Sequence, residues 1–140
     1  MLAEHAVDLV IGHHPHVIQK IENIPRPDGK DMLCFYSLGN FISAQSDSAT
    51  LLGAMAFVRL KKTASENIIS IEEYGAIPTV THYEKDLSGF KVYPLYAYTE
   101  ELLKKHWKSD LSTSYLKNLS SKIFEDREIS KNPFGGNLWK

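Results

Sequence analysis

The stretch Asp8-Leu9-Val10-Ile11-Gly12-His13-His14-Pro15-His16 (DLVIGHHPH, residues 8–16) decides how this chain is read. A short apolar run with β-branched Val10 and Ile11, closed by Gly12, suits a buried strand. The segment after it cannot prolong the strand. Pro15 removes a backbone donor and biases His14 toward extended geometry. The histidines therefore sit on a loop at the C-terminal end of a strand, where α/β enzymes gather their ligands. Side chains two apart in extended chain point the same way, which pairs His14 with His16 and turns His13 elsewhere. Neutral imidazole is a common ligand for Zn, Fe and Mn. The same residues also read as a polar turn whose imidazoles cap nearby backbone groups. Two or three donors from one loop do not complete a metal site, which takes about four.

The elements on either side of this loop follow from pattern. Residues 1–7 carry Leu2, Ala3, Ala6 and Val7 at the spacing of the last turns of a helix. Residues 17–24 and 31–37 flank Pro27-Asp28-Gly29-Lys30, a turn sequence, and so predict a hairpin. Residues 51–60 and 67–74 read as strands, and 75–83 as extended chain broken by Pro78. Residues 90–96 form a strand that Pro94 demotes to an edge or a strand end. Thr99 is placed as an N-cap, with Glu100 and Glu101 in the first turn where carboxylates favour the helix dipole. Leu102, Leu103, His106 and Trp107 form one face of that helix. Residues 112–128 give a second, with Tyr115, Leu116, Leu119, Ile123 and Phe124 inward. The fold class is α+β: mainly antiparallel strands over residues 8–96, then two C-terminal helices. The organisation expected is a portion over 1–98, a helical extension over 99–131 and a tail over 132–140.

Composition narrows the function classes. The 140 residues carry 16 Lys+Arg against 17 Asp+Glu, a net charge of −1, which argues against a nucleic-acid partner. A hydrophobic share of 43% with 24% charged residues is that of a folded domain rather than a disordered chain. One cysteine, Cys34, excludes an intrachain disulfide or a Cys-based zinc site, and its place in the run Met32–Leu38 makes it core. Glu4 and Asp8 stand where a signal peptide needs a basic start and an apolar run. No apolar stretch approaches the ~20 residues of a membrane helix.

A second constellation is Tyr36-Ser37-Leu38-Gly39-Asn40-Phe41. A strand ending in Gly-Asn brings an amide and a hydroxyl to the edge that carries the histidines, provided strand and loop are neighbours. The same pair also reads as a tight turn with positive φ. His82 and His106 are isolated and read as surface or interfacial. Tyr93, Tyr96 and Tyr98 read as aromatic packing along a strand edge. The pairs Glu72-Glu73 and Glu100-Glu101 read as solvated.

In this order and spacing, DLVIGHHPHVIQ (8–19) and FYSLGNFI (35–42) resemble the C-terminal part of the poly-γ-glutamate capsule biosynthesis (CapA-type) family, of the calcineurin-like metallophosphoesterase superfamily. GAMAFVRL (53–60), IPTVTHY (77–83) and FKVYPLYAY (90–98) are more loosely similar to the family's later strands. The resemblance covers residues 1–98. It implies a fragment of a four-layer α/β sandwich whose two sheets surround a two-metal centre. It implies that His14 and His16, with His13 as the alternative, are metal ligands. It implies that Asn40 and Ser37 lie near them, touching substrate or holding the ligands. The cofactors implied are divalent ions (Mn, Fe, Zn or Mg) at an incomplete site. The family's early Gly-Asp strand motif, its Asn-Asn-His element and a further His do not occur here. The expectation is a chain inactive by itself, beside a missing N-terminal half or in a homo-oligomer, toward a phosphoester or an anionic polymer. Family members are often held at the bacterial cell envelope. The alternative is a non-catalytic oligomerising or polymer-binding module, whose half-sheet exposes edges that a partner must cover.

Overall fold

A computed structural model describes residues 2–63 and 68–134 of the chain. Two three-stranded sheets carry the fold. The first contains β1 (Leu9–Ile11), β2 (Ile21–Pro25) and β3 (Asp31–Phe35) in the order β1-β3-β2. β2 and β3 form the expected hairpin, in register from Ile21 opposite Phe35 to Pro25 opposite Asp31. Its turn closes through the Arg26 N–H on the Lys30 carbonyl (2.8 Å) and the Gly29 N–H on the Arg26 carbonyl (3.1 Å). β1 lies parallel to β3, with Leu9 opposite Leu33. Met32 to Phe35 are all buried, which is why β3 reads as a continuous apolar run and not as an alternation.

The second sheet contains β4 (Leu52–Thr63), β5 (Ile68–His82) and β6 (Lys91–Pro94) in the order β4-β5-β6. Pro78 does not break β5, contrary to the reading of residues 75–83. Ala76 turns its carbonyl away from β4 to accept the Ile129 N–H (2.8 Å). Pro78, two residues on, turns the same way. It lies one residue before the pairing with β6 starts, at Thr79 opposite Pro94, where no ladder donor is required. β6 ends at Pro94, as expected. The two sheets are tied through Leu38, whose carbonyl accepts the Ala54 N–H (2.8 Å) and which bridges to Ile18.

The helices are α1 (Glu100–Lys105) and α2 (Thr113–Phe124). Thr99 caps α1 by accepting the Leu102 N–H, and Ser112 caps α2 by accepting the Tyr115 N–H. α2 stops short of residue 128, because Glu125 takes a left-handed φ of 50° and a 3-10 turn follows. Its buried residues are Thr113, Leu116, Ser120 and Phe124. Tyr115 is corrected: it is 43% exposed, because the buried face runs through its neighbour Leu116. Leu119 and Ile123 pack partly buried at the flanks of that face. The expected face of the first helix is also corrected: α1 ends at Lys105, so His106 and Trp107 lie beyond it, and Trp107 is partly exposed. Leu116 and Phe124 share one buried cluster with Ile18, Phe35, Leu52 and Val80. Burying such a side chain contributes roughly 1.5–3 kcal/mol, so α2 is held by packing more than by its own propensity. The N-terminal helix reduces to a 3-10 turn, Leu2–His5. The α+β class with mainly antiparallel strands is as read from the sequence. Residue 67 of the expected strand 67–74 and residues 135–140 of the expected tail lie outside the described residues.

Candidate functional site

The histidine loop leaves β1 through Gly12. The Gly12 N–H donates to the Phe35 carbonyl (2.7 Å), and the Gly12 carbonyl accepts from the Leu38 N–H (3.2 Å). A Cβ at Gly12 would stand 2.3 Å from the Tyr36 carbonyl oxygen, so only glycine lets the two segments lie this close. The loop is thereby laid beside residues 36–40. His14 and His16 do come together, with ring centres 6.4 Å apart. The reason differs from the extended chain expected. His14 has φ of 112° and His16 has φ of 62°, both left-handed. Such backbone costs about 1–3 kcal/mol per non-glycine residue and gathers at functional sites.

The turn after β3 delivers Asn40. Gly39 has φ of 65°, the positive φ that the sequence allowed. Asn40 Oδ1 lies 2.8 Å from His16 Nδ1. Asn40 Nδ2 donates to Gln45 Oε1 (2.6 Å) and to the Thr50 carbonyl (3.1 Å). Three of the residues singled out, His14, His16 and Asn40, therefore meet. The other two do not join them. His13 is exposed, and among the described residues neither a ring contact nor a hydrogen bond joins it to this group. Ser37 is buried with its Oγ accepting the Gly39 N–H (3.1 Å), so its hydroxyl serves the turn. Gln45 and Thr50 went unnoticed, because residues 43–50 read only as a small polar loop. Nothing in that loop's own sequence shows that it folds back on Asn40.

His82 and His106 are corrected: both are buried. Their ring centres lie 5.3 Å apart. His106 Nε2 donates to the Thr81 carbonyl (3.2 Å), and its Nδ1 accepts the Lys108 N–H (2.9 Å). A ring between a carbonyl and an N–H is neutral and fully satisfied. His82 Nδ1 lies 2.8 Å from the Tyr98 hydroxyl. Burial pushes the pKa of both histidines below the ordinary value; for His82 the neighbouring His106 adds to it. Burial likewise raises the Tyr98 phenol. Tyr93 and Tyr98 do pack together, with ring centres 5.9 Å apart. Cys34 is core, its thiol pushed up by burial.

Among the described residues, no three or more His, Cys, Asp or Glu side chains gather as a metal-holding group. Nor is any helix among them long and apolar enough to cross a membrane. Residues 1–45 match the family described as bacterial capsule synthesis protein PGA_cap, a span that includes the histidine loop, the hairpin and Asn40. The resemblance to CapA-type capsule biosynthesis proteins therefore holds, as a partial match. The chain is 33% identical over 79 residues to the PGA biosynthesis protein CapA of Bacillus subtilis (strain 168), 55% of this chain and 20% of that protein. It is 27% identical over 89 residues to the capsule biosynthesis protein CapA of Bacillus anthracis, 61% of this chain and 20% of that protein. The matched region thus spans about a fifth of the length of these CapA relatives. No solved structure matches the chain.

Proposed function

We propose that this chain contributes the histidine part of a divalent-metal centre in a CapA-type, metallophosphoesterase-like hydrolase of capsule or poly-γ-glutamate synthesis. The observation that carries the reading is the pair His14 and His16, exposed and held together on costly left-handed backbone. Two imidazoles on one ion, each with its nitrogen about 2.0–2.1 Å from the metal, hold their ring centres at most roughly 6.5 Å apart. The 6.4 Å observed sits at that outer limit, and suits rings on two adjacent ions more easily. Imidazole pairs suit Zn, Fe or Mn better than Mg, which prefers oxygen donors. His13, one residue away, is the alternative donor. A bound ion would supply Lewis acidity and an activated water toward a phosphoester or a bond in an anionic polymer. Two or three histidines do not make up a two-metal set, so the reading assigns the other ligands to polypeptide outside these 140 residues. The chain by itself is then inactive.

Calorimetric titration of the 140-residue chain with Zn2+ and Mn2+ tests the donor role. Binding is expected in the parent chain and lost in His14→Ala and His16→Ala. Equal affinity in all three, or none in any, removes the metal reading. Hydrolysis of an activated phosphodiester by the chain alone, abolished by a chelator, would contradict the inactivity.

A second reading, assembly, has its own observation. Leu60, Ile68 and Ile69 are exposed on the β4–β5 hairpin, beside a groove of about 600 Å3 whose lining includes Leu9, Leu33 and Tyr74. A second copy of the chain would cover such apolar surface. Sedimentation at micromolar concentration separates the readings. A clean monomer sinks the assembly reading, whereas a dimer that persists in His14→Ala and His16→Ala supports it.

A further inference from the structure

We infer that Asn40 is a positioning residue: it fixes His16 as the Nδ1–H tautomer, leaves Nε2 as that ring's free donor, and is itself locked by the loop 43–50. The Thr50 carbonyl can only accept a hydrogen bond, so the Asn40 atom 3.1 Å from it must be the amide nitrogen. That nitrogen spends its second hydrogen on Gln45 Oε1. Both Asn40 donors are then used, and the atom facing His16 is an oxygen, which only accepts. His16 Nδ1, 2.8 Å away, must carry the proton. In a neutral ring the lone pair then falls to Nε2.

The loop that dictates this is anchored at several points. The Gln45 N–H donates to Ser43 Oγ (3.1 Å), and the buried Tyr83 hydroxyl donates to the Gln45 carbonyl (3.3 Å). The Thr50 N–H and hydroxyl both reach the Asp47 carbonyl, at 3.1 and 2.8 Å. Asn40 therefore has no amide hydrogen left for a substrate, which separates holding a ligand from touching substrate. Orientation of a ligating histidine by the partner of its other nitrogen is how such donors are aimed. The inference rests on the metal reading only in saying what Nε2 is for.

Long-range 1H–15N correlation spectra of the metal-free chain, with 15N-labelled histidine at a pH where imidazole is neutral, read the tautomer directly. His16 is expected as Nδ1–H in the parent chain. Asn40→Ala should move it toward Nε2–H, the form free imidazole side chains favour. Asn40→Asp keeps an acceptor and should retain Nδ1–H. Gln45→Ala, at an exposed position that folding tolerates, should give a smaller shift in the same direction. Zn2+ affinity should fall about 10–100-fold in Asn40→Ala and far less in Asn40→Asp. The inference is overturned if His16 is Nε2–H in the parent chain, or if Asn40→Ala leaves the tautomer unchanged. The expected tautomers without any Zn2+ binding would remove the metal reading and leave the positioning role standing.

Discussion

His14 and His16 stand exposed on left-handed backbone, tied to Asn40 by one hydrogen bond from His16, whereas His82 and His106 lie buried between β5, β6 and the end of α1. The residue type is the same and the physical situation is opposite. In the buried pair, His106 has both nitrogens occupied by backbone groups, so the ring acts as a neutral strut. In the loop pair, backbone strain is tolerated and lone pairs remain. Histidines that hold a fold relieve unsatisfied groups around them, while histidines that do chemistry are held at some cost to stability.

Breaking the strut should give the largest effect. His106→Ala leaves the Thr81 carbonyl and the Lys108 N–H without a buried partner and opens a cavity. A loss of about 3 kcal/mol is expected in urea unfolding. His16→Ala, exposed, should stay within about 0.5 kcal/mol of the parent. Similar losses at the two positions would erase the contrast between the pairs.

Acid should act next, through the buried pair. A histidine whose folded pKa lies below its unfolded value, about 6.5, binds fewer protons folded than unfolded. Its stabilising contribution is complete above that value. It is lost as pH falls through the window down to the folded pKa. Each unit of depression is worth about 1.4 kcal/mol. Stability from denaturant melts should therefore drop as pH falls below about 6.5. That drop should shrink in a His106→Gln variant. A flat profile over this window would show that burial does not keep the pair neutral.

The smallest effect tests the strain. His14→Gly places at φ of 112° a residue that adopts it freely. After the entropy that glycine loses on folding, a gain of about 0.5–1 kcal/mol is expected, together with weaker metal binding. A destabilised His14→Gly would mean that the ring, not the backbone, is what the loop needs.

The sequence was legible wherever a rule is local. Pro27-Asp28-Gly29-Lys30 marked the hairpin, Thr99 marked the cap of α1, and the run from Met32 to Phe35 marked a strand buried on both faces. The pairing of His14 with His16 was reached from sequence spacing, although the backbone that achieves it is left-handed and not extended. Pro78 was misread because a proline's cost depends on whether a neighbour strand needs its missing donor. Tyr115 was misread because Tyr115 and Leu116 are adjacent, and the direction of α2 against the sheets decides which one is buried.

By itself the sequence determined the α+β class, the hairpin, the Thr99 cap, the histidine loop and the Gly-Asn turn, because each follows from dihedral preferences and short-range periodicity. Only the tertiary structure decided which histidines are struts and which are free. It brought Thr81 to His106 from 25 residues away, and Asn40 to His16 from 24. Whether an imidazole is neutral, partnered or available depends on such long-range contacts, which local spacing does not specify.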